Sequence, residues 1–222
     1  MKDKMKQKIY ILSGLGADER VFDQLEFSSL EPVFVDWIEP FENESLESYA
    51  KRISIAITCE NPLILGISFG GMLAVEISKI RSVKQLFLIA TAKTFLELPN
   101  VYRIFGRLGA LILIPVSLLK RTTVLTHYFF GTKTKKDKLL LKSILEDTDA
   151  KFLKWALKAI VGWRNKTIPT SFIHLHGSKD KIIPIKRIQF STKIEGGGHL
   201  MTLDKSEELN EHLNSEISKL IE

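Results

Sequence analysis

Ser68, Asp180 and His199 are the side chains whose types and settings suit nucleophilic catalysis. Ser68 sits in Gly66-Ile67-Ser68-Phe69-Gly70-Gly71, a G-x-S-x-G pattern. Apolar Pro62-Leu63-Ile64-Leu65 precedes it and a helical pattern starts near Met72. A serine on a sharp turn from strand into helix is pushed outward, and small flanking residues let the two backbones approach. A hydroxyl is a weak nucleophile until a base takes its proton; the base is usually histidine, oriented by a carboxylate. Both are expected downstream, and both are there. His176-Gly177-Ser178-Lys179-Asp180 and Gly196-Gly197-Gly198-His199 each follow an apolar stretch. Each residue also has a plainer role open to it: Ser68 as a small turn residue, Asp180 as a turn cap before Pro184, His199 as a surface residue. The loop Ala90-Thr91-Ala92-Lys93 offers no competing acid, and three glycines before His199 suit a shaped loop.

Strands must bring these residues to one edge. Lys8–Leu12, Pro32–Trp37, Leu63–Ile67, Gln85–Ala90, Ser171–Leu175 and Ile188–Ile194 read as strands. Helical spacing marks about Ser45–Thr58, Met72–Ile80 and Ser206–Ile221, and Asp18 suits the cap of a short helix. Apolar strands alternating with amphipathic helices predict an α/β fold with about six mostly parallel strands, covered on both faces. The loops after such strands gather at the carboxyl edge, where ligands bind. Between the fourth and fifth strands, Val101–Leu119, Arg121–Phe130, Lys136–Glu146 and Asp149–Trp163 read as helices. The first three predict an inserted helical cap at about 95–148 of a single 1–222 domain; the last suits covering the sheet.

Taken together, these segments resemble the α/β-hydrolase fold superfamily, as a small esterase- or thioesterase-like member. Ile64–Gly71 resembles its nucleophile segment, His176-Gly177-x-x-Asp180-x-x-x-Pro184 its acid loop and Gly197-Gly198-His199 its histidine loop. The chain order Ser68, Asp180, His199 is the family's. The likeness runs from about Ile9 to the last helix, excluding the cap. It implies a reduced six-strand sheet, since the first strand begins near Lys8 and leaves no room for two leading antiparallel strands. It also implies Ser68 as nucleophile, His199 as base, Asp180 as its orienter, and an oxyanion hole from the Leu15 and Phe69 amides. The family's usual His-Gly after the first strand is Ser13-Gly14 here. The activity implied is hydrolysis of an ester or thioester without a cofactor. A lyase, a C–C bond hydrolase or a ligand receptor on the same scaffold is the alternative.

Other readings are narrower. Ser13-Gly14-Leu15-Gly16 begins like a dinucleotide fingerprint, but Glu19 stands where a small residue belongs. His174-x-His176 has ligand-like spacing with no third cluster, so no metal site is expected; His174 reads as packed and His176 as a brace of its own loop. His127 and His212 fall on helical segments. Cys59 is the lone cysteine and reads as packing. Net charge is +6, with lysines grouped at both Met1–Lys8 and Lys133–Lys138, yet no aromatics interleave them, which argues against nucleic acid. The apolar run Ile9–Leu12 is too short for a signal peptide. Leu108–Leu119 is too short for a membrane span and contains Pro115, leaving a cytoplasmic location as the default. That run reads as cap packing or as a membrane-surface or partner contact.

The cap supplies the substrate reading. Phe95, Leu96, Val101, Tyr102, Ile104, Phe105, Leu111, Ile112, Val116, Leu118, Phe129 and Phe130 are candidates for an acyl pocket or for cap core. Arg103, Arg107, Lys120 and Arg121 suit an anionic leaving group or a solvated face. An apolar, lipid-like small-molecule ester or thioester fits these residues.

Overall fold

The structure, a computed structural model, describes residues 6–27, 29–102, 104 and 120–221. Most of the expected helix Val101–Leu119, with Gly106 and Gly109, lies outside them, as do Arg103 and Arg107.

Among the described residues six strands form one sheet: β1 (Gln7–Leu12), β2 (Leu30–Phe34), β3 (Leu63–Ile67), β4 (Gln85–Ile89), β5 (Phe172–Gly177) and β6 (Thr192–Ile194). Their order is β2-β1-β3-β4-β5-β6, and every pairing is parallel. β3 and β4 are buried at every residue, which explains why they read as unbroken apolar runs rather than alternating ones.

Alternate side chains serve opposite layers. Tyr10, Leu12, Ile64, Leu86 and Leu88 face α1 (Leu46–Ile53), α2 (Phe69–Ile80) and a helix over Ala150–Gly162. Ile9, Ile11, Leu63, Leu65, Phe87 and Ile89 face a 3₁₀ turn at Glu19–Phe22 and the helix Ser206–Ile221. Each fully buried aliphatic contributes about 1.5–3 kcal/mol, so these two layers dominate stability. Asp18 does cap the 3₁₀ turn, accepting from the Arg20 amide.

Between β4 and β5 lie α3 (Val124–Phe130), α4 (Lys135–Asp147) and α5 (Ala150–Gly162). Threonines close both starts of the first two: Thr123 with Thr126, and Thr134 with Asp137, form reciprocal capping boxes. After β6 come a single turn, α6 (Met201–Asp204), and α7 (Ser206–Ile221).

Several boundaries move. β2 lies earlier than Pro32–Trp37, because Trp37 leaves the sheet to pack beside Phe69 and Phe152 at ring distances of 5.7 and 5.1 Å. α1 gives way at Ser54 to a 3₁₀ turn rather than running to Thr58. β6 is only Thr192–Ile194: Ile185–Arg187 form a 3₁₀ turn and Phe190 takes φ 52°.

Candidate active site

Ser68 stands between β3 and α2 with φ 51° and ψ −115°, a region an L-residue occupies at a cost of order 1–3 kcal/mol. The surroundings hold it there. The Ser68 amide donates to the Ile89 carbonyl at 3.0 Å, and the Ser68 carbonyl accepts from the Thr91 hydroxyl. α2 crosses the end of β1 so closely that a Cβ on Gly70 would lie 2.2 Å from the Leu12 and Ser13 carbonyl oxygens.

Asp180 and His199 arrive on the loops after β5 and β6. His199 Nε2 is 2.8 Å from Ser68 Oγ, and His199 Nδ1 is 2.8 Å from Asp180 Oδ2. Asp180 Oδ1 accepts from the Ile182 and Ile183 amides, both at 2.9 Å. The three expected residues are therefore in one hydrogen-bonded row. Phe130 packs edge-on to the His199 ring at 5.9 Å, and its carbonyl accepts from the Leu200 amide, so the end of α3 steadies the histidine loop.

The Ser13–Gly16 turn lies against the serine. A Cβ on Gly14 would sit 3.5 Å from the Ser68 Cβ. The Ala17 amide donates to the Gly14 carbonyl at 3.1 Å, and Gly16 takes φ +65°. That is a type II turn with Leu15 second, where the amide points away from the turn. Neither the Leu15 amide nor that of Phe69, first residue of α2, donates to a described residue. Two unspent donors near a hydroxyl are what an oxyanion would need.

The row opens into a cavity of about 640 Å³. Its wall is almost wholly apolar and includes Val101, Tyr102, Phe129 and Phe130, four of the residues that read equally as pocket or cap core. Phe95 and Leu96 do not line it: Phe95 packs on the sheet core and Leu96 is exposed, as is Ile104. Phe105, Leu111, Ile112, Val116 and Leu118 lie outside the described residues. Periodicity alone missed Leu141 and Ile144 of α4, a helix that reads as cap, and Leu157, Ile160 and Val161 of α5, a helix that reads as cover for the sheet. Lys120 turns to the Glu146 carbonyl instead of the cavity. A wider cleft beside α5, about 1060 Å³, is lined by glutamates and lysines and holds none of the three residues.

Burial and charge set the protonation of this region. Burial works against the Asp180 carboxylate, but His199, His176 and the Ile183 amide outweigh it and hold Asp180 below its ordinary value of 3.8. Burial, reinforced by Lys93 and His176, drives His174 well below the usual 6.5; burial also lowers His176, against the pull of Asp180. Tyr102 is pushed up to about 12 by burial and by Asp180, so its hydroxyl stays protonated and donates to the Ile182 carbonyl at 3.0 Å.

The shifts of Asp180, His174 and His176 share one sign, downward. A group with a depressed folded pKa costs stability as the unfolded chain takes up protons that the folded chain refuses. Stability is expected to hold above pH 6.5, to decline below it through His174 and His176, and to fall further below about 3.8 through Asp180. Urea midpoints measured from pH 8 to 3 check this; a midpoint unchanged between 6.5 and 5 would contradict it.

Sheet order, strand-turn-helix serine, and acid and histidine loops after the last two strands together define the α/β-hydrolase fold, which this chain has. No protein-family model matches the sequence, and no curated protein matches it. The likeness is structural. MenH from S. aureus aligns with a TM-score of 0.73 at 15% identity, over 100% of this chain and 97% of that one. An esterase from Exiguobacterium antarcticum gives 0.71 at 17%, covering 96% and 92%. A bromoperoxidase from Bacillus anthracis gives 0.70 at 17%, covering 97% and 92%. Among the described residues no helix is long and apolar enough to cross a membrane, and no three His, Cys, Asp or Glu side chains group as for a metal ion.

Proposed function

We propose that the protein is a serine hydrolase that cleaves a carboxylic ester or thioester through an acyl-enzyme at Ser68. The observation that carries this is the row Ser68–His199–Asp180, with both links at 2.8 Å, at the wall of an apolar cavity. Ser68 Oγ attacks the carbonyl carbon as His199 Nε2 takes its proton. The oxyanion is met by the Leu15 and Phe69 amides. Collapse expels the alcohol or thiol, which leaves with the proton from His199. Water, deprotonated by His199, then attacks the acyl carbon and releases the acid, returning the proton to Ser68. Asp180 keeps the imidazole proton on Nδ1 and stabilises the imidazolium.

Residues 95–148 act in this reading as a cap, with Phe129, Phe130, Leu141 and Ile144 roofing an apolar acyl group. Esterases among the structural neighbours support the reading. A bromoperoxidase and MenH on the same scaffold keep a second one in view, a lyase or C–C bond hydrolase using the same three residues.

The test is a panel of acyl esters and thioesters of graded chain length, run beside a fluorophosphonate whose adduct is located by mass spectrometry. Turnover that rises with chain length, an adduct on Ser68, and loss of both in Ser68→Ala are expected. Labelling at Ser68 with silence across the panel would turn the assignment to the second reading. No adduct would sink both.

A further inference from the structure

Behind the acid loop lies a row of buried polar groups that the hydrolytic steps do not use. Lys93 is fully buried, and its Nζ touches three partners: Glu97 Oε1 at 2.9 Å, the Gln189 carbonyl at 2.7 Å and His174 Nδ1 at 2.9 Å. Glu97 is itself surrounded by donors, the Lys93 amide at 2.6 Å and the Gln189 amide at 3.1 Å. His174 Nε2 is 3.3 Å from His176 Nδ1. His176 Nε2 is 2.7 Å from the Ile183 carbonyl and 3.4 Å from Asp180 Oδ2.

The protons in this row are fixed from both ends. The Ile183 carbonyl can only accept, so His176 carries its proton on Nε2. A neutral His176 then offers a lone pair at Nδ1, so His174 must donate from Nε2, leaving its own Nδ1 as an acceptor. At the far end, Glu97 and the Gln189 carbonyl also only accept and use two N–H bonds of Lys93. An ammonium has a third, which goes to His174 Nδ1. An uncharged amine would have none left and would present a lone pair there. Burial lowers the Lys93 pKa from its ordinary 10.5, while the carboxylate of Glu97 and the Phe172 ring, 5.4 Å from Nζ, act against burial in favour of the cation. Both ends demand the same arrangement.

We propose that Lys93, held by Glu97, is a remote positioning residue of the active site: it sets the tautomers of His174 and His176 and thereby clamps the Asp180 loop. The clamp closes on one residue. The Ile183 carbonyl accepts from His176, while the amide of the same residue donates to Asp180 Oδ1. The His176 N–H also faces the carboxylate oxygen that orients His199. Without the ammonium, His174 is free to move its proton to Nδ1. His176 then loses its donor, and the tautomer that points a lone pair at Ile183 and Asp180 becomes accessible. The catalytic consequence rests on the hydrolase reading; the tautomers do not.

Two-bond ¹H–¹⁵N correlations of the histidine rings test the arrangement in the wild-type protein. Both His174 and His176 are expected as Nε2–H forms, and an Nδ1–H form of His176 overturns the proposal. Lys93→Met combined with Glu97→Gln removes both charges together, leaving neither buried alone. In that variant Nδ1–H forms are expected to appear. The maximal rate of fluorophosphonate labelling is expected to drop about tenfold with inhibitor affinity within about twofold, as for a small misplacement of reacting groups. His174→Leu gives an independent route to the same loss, whereas His174→Gln, whose amide keeps a donor toward His176, is expected to retain most of the rate. A folded variant with unchanged tautomers or an unchanged labelling rate also overturns the proposal. Wild-type protein with the expected tautomers but no labelling would instead overturn the hydrolase reading and, with it, the catalytic role given to Lys93.

Discussion

Asp180→Asn is expected to lower kcat about 10⁴-fold with little change in KM, the scale seen when a triad histidine is held in the wrong tautomer. The local geometry leaves the amide one orientation. The Oδ1 position receives two backbone N–H groups, from Ile182 and Ile183, and only an oxygen can accept them. The NH₂ group must then occupy the Oδ2 position, 2.8 Å from His199 Nδ1. It donates there, so His199 carries its proton on Nε2 and faces Ser68 with an N–H instead of a lone pair. In the proposed hydrolase Ser68, the cavity and the fold stay in place, and only proton abstraction is lost. Steady-state and single-turnover kinetics on the preferred ester would show it. Activity within tenfold of wild type would remove Asp180 from the catalytic row.

Gly70→Ala is expected to destabilise the protein by about 3 kcal/mol, the upper part of the overpacking range. The added Cβ meets two backbone oxygens at 2.2 Å, those of Leu12 and Ser13, and backbone cannot swing aside as a side chain can. α2 must lift from the end of β1. The lift carries the Phe69 amide away from the Ser13–Gly16 turn, so acylation in the proposed mechanism should slow as stability falls. At 2–4 °C per kcal/mol for a chain of this size, Tm should drop roughly 6–12 °C. Gly162→Ala is the control: nothing lies within 4 Å of its Cβ, and alanine in a helix is better than glycine by roughly 0.5–1 kcal/mol. Equal Tm values for the two variants would refute the close-approach argument.

The central strands and the candidate site were legible because their signals are local. β3 and α7 carry their limits in unbroken apolar runs or clear helical spacing, and Ser68, Asp180 and His199 each sit in a short glycine-marked loop. What was illegible depends on distant partners. Trp37 looks like a strand residue until Phe69 and Phe152 are known to be its neighbours. Lys93 and Glu97, four apart, look in the sequence like an exposed pair; burial against β5 makes them the root of a hidden row. The cavity wall from α4 and α5 was missed for the same reason, since an inward-facing leucine reads alike whether it meets a core or a space.

Pro32 lies in the outermost strand, β2. The Val35 amide donates inward to the Ile11 carbonyl, so in this register the backbone at 31, 33 and 35 serves β1 while that at 32 faces out. The proline therefore deletes a donor that a foreign strand would need. At the opposite margin β6 offers three residues, with Lys193 at its centre. Both margins are therefore poor templates for a further strand, which guards the sheet against growing edge to edge.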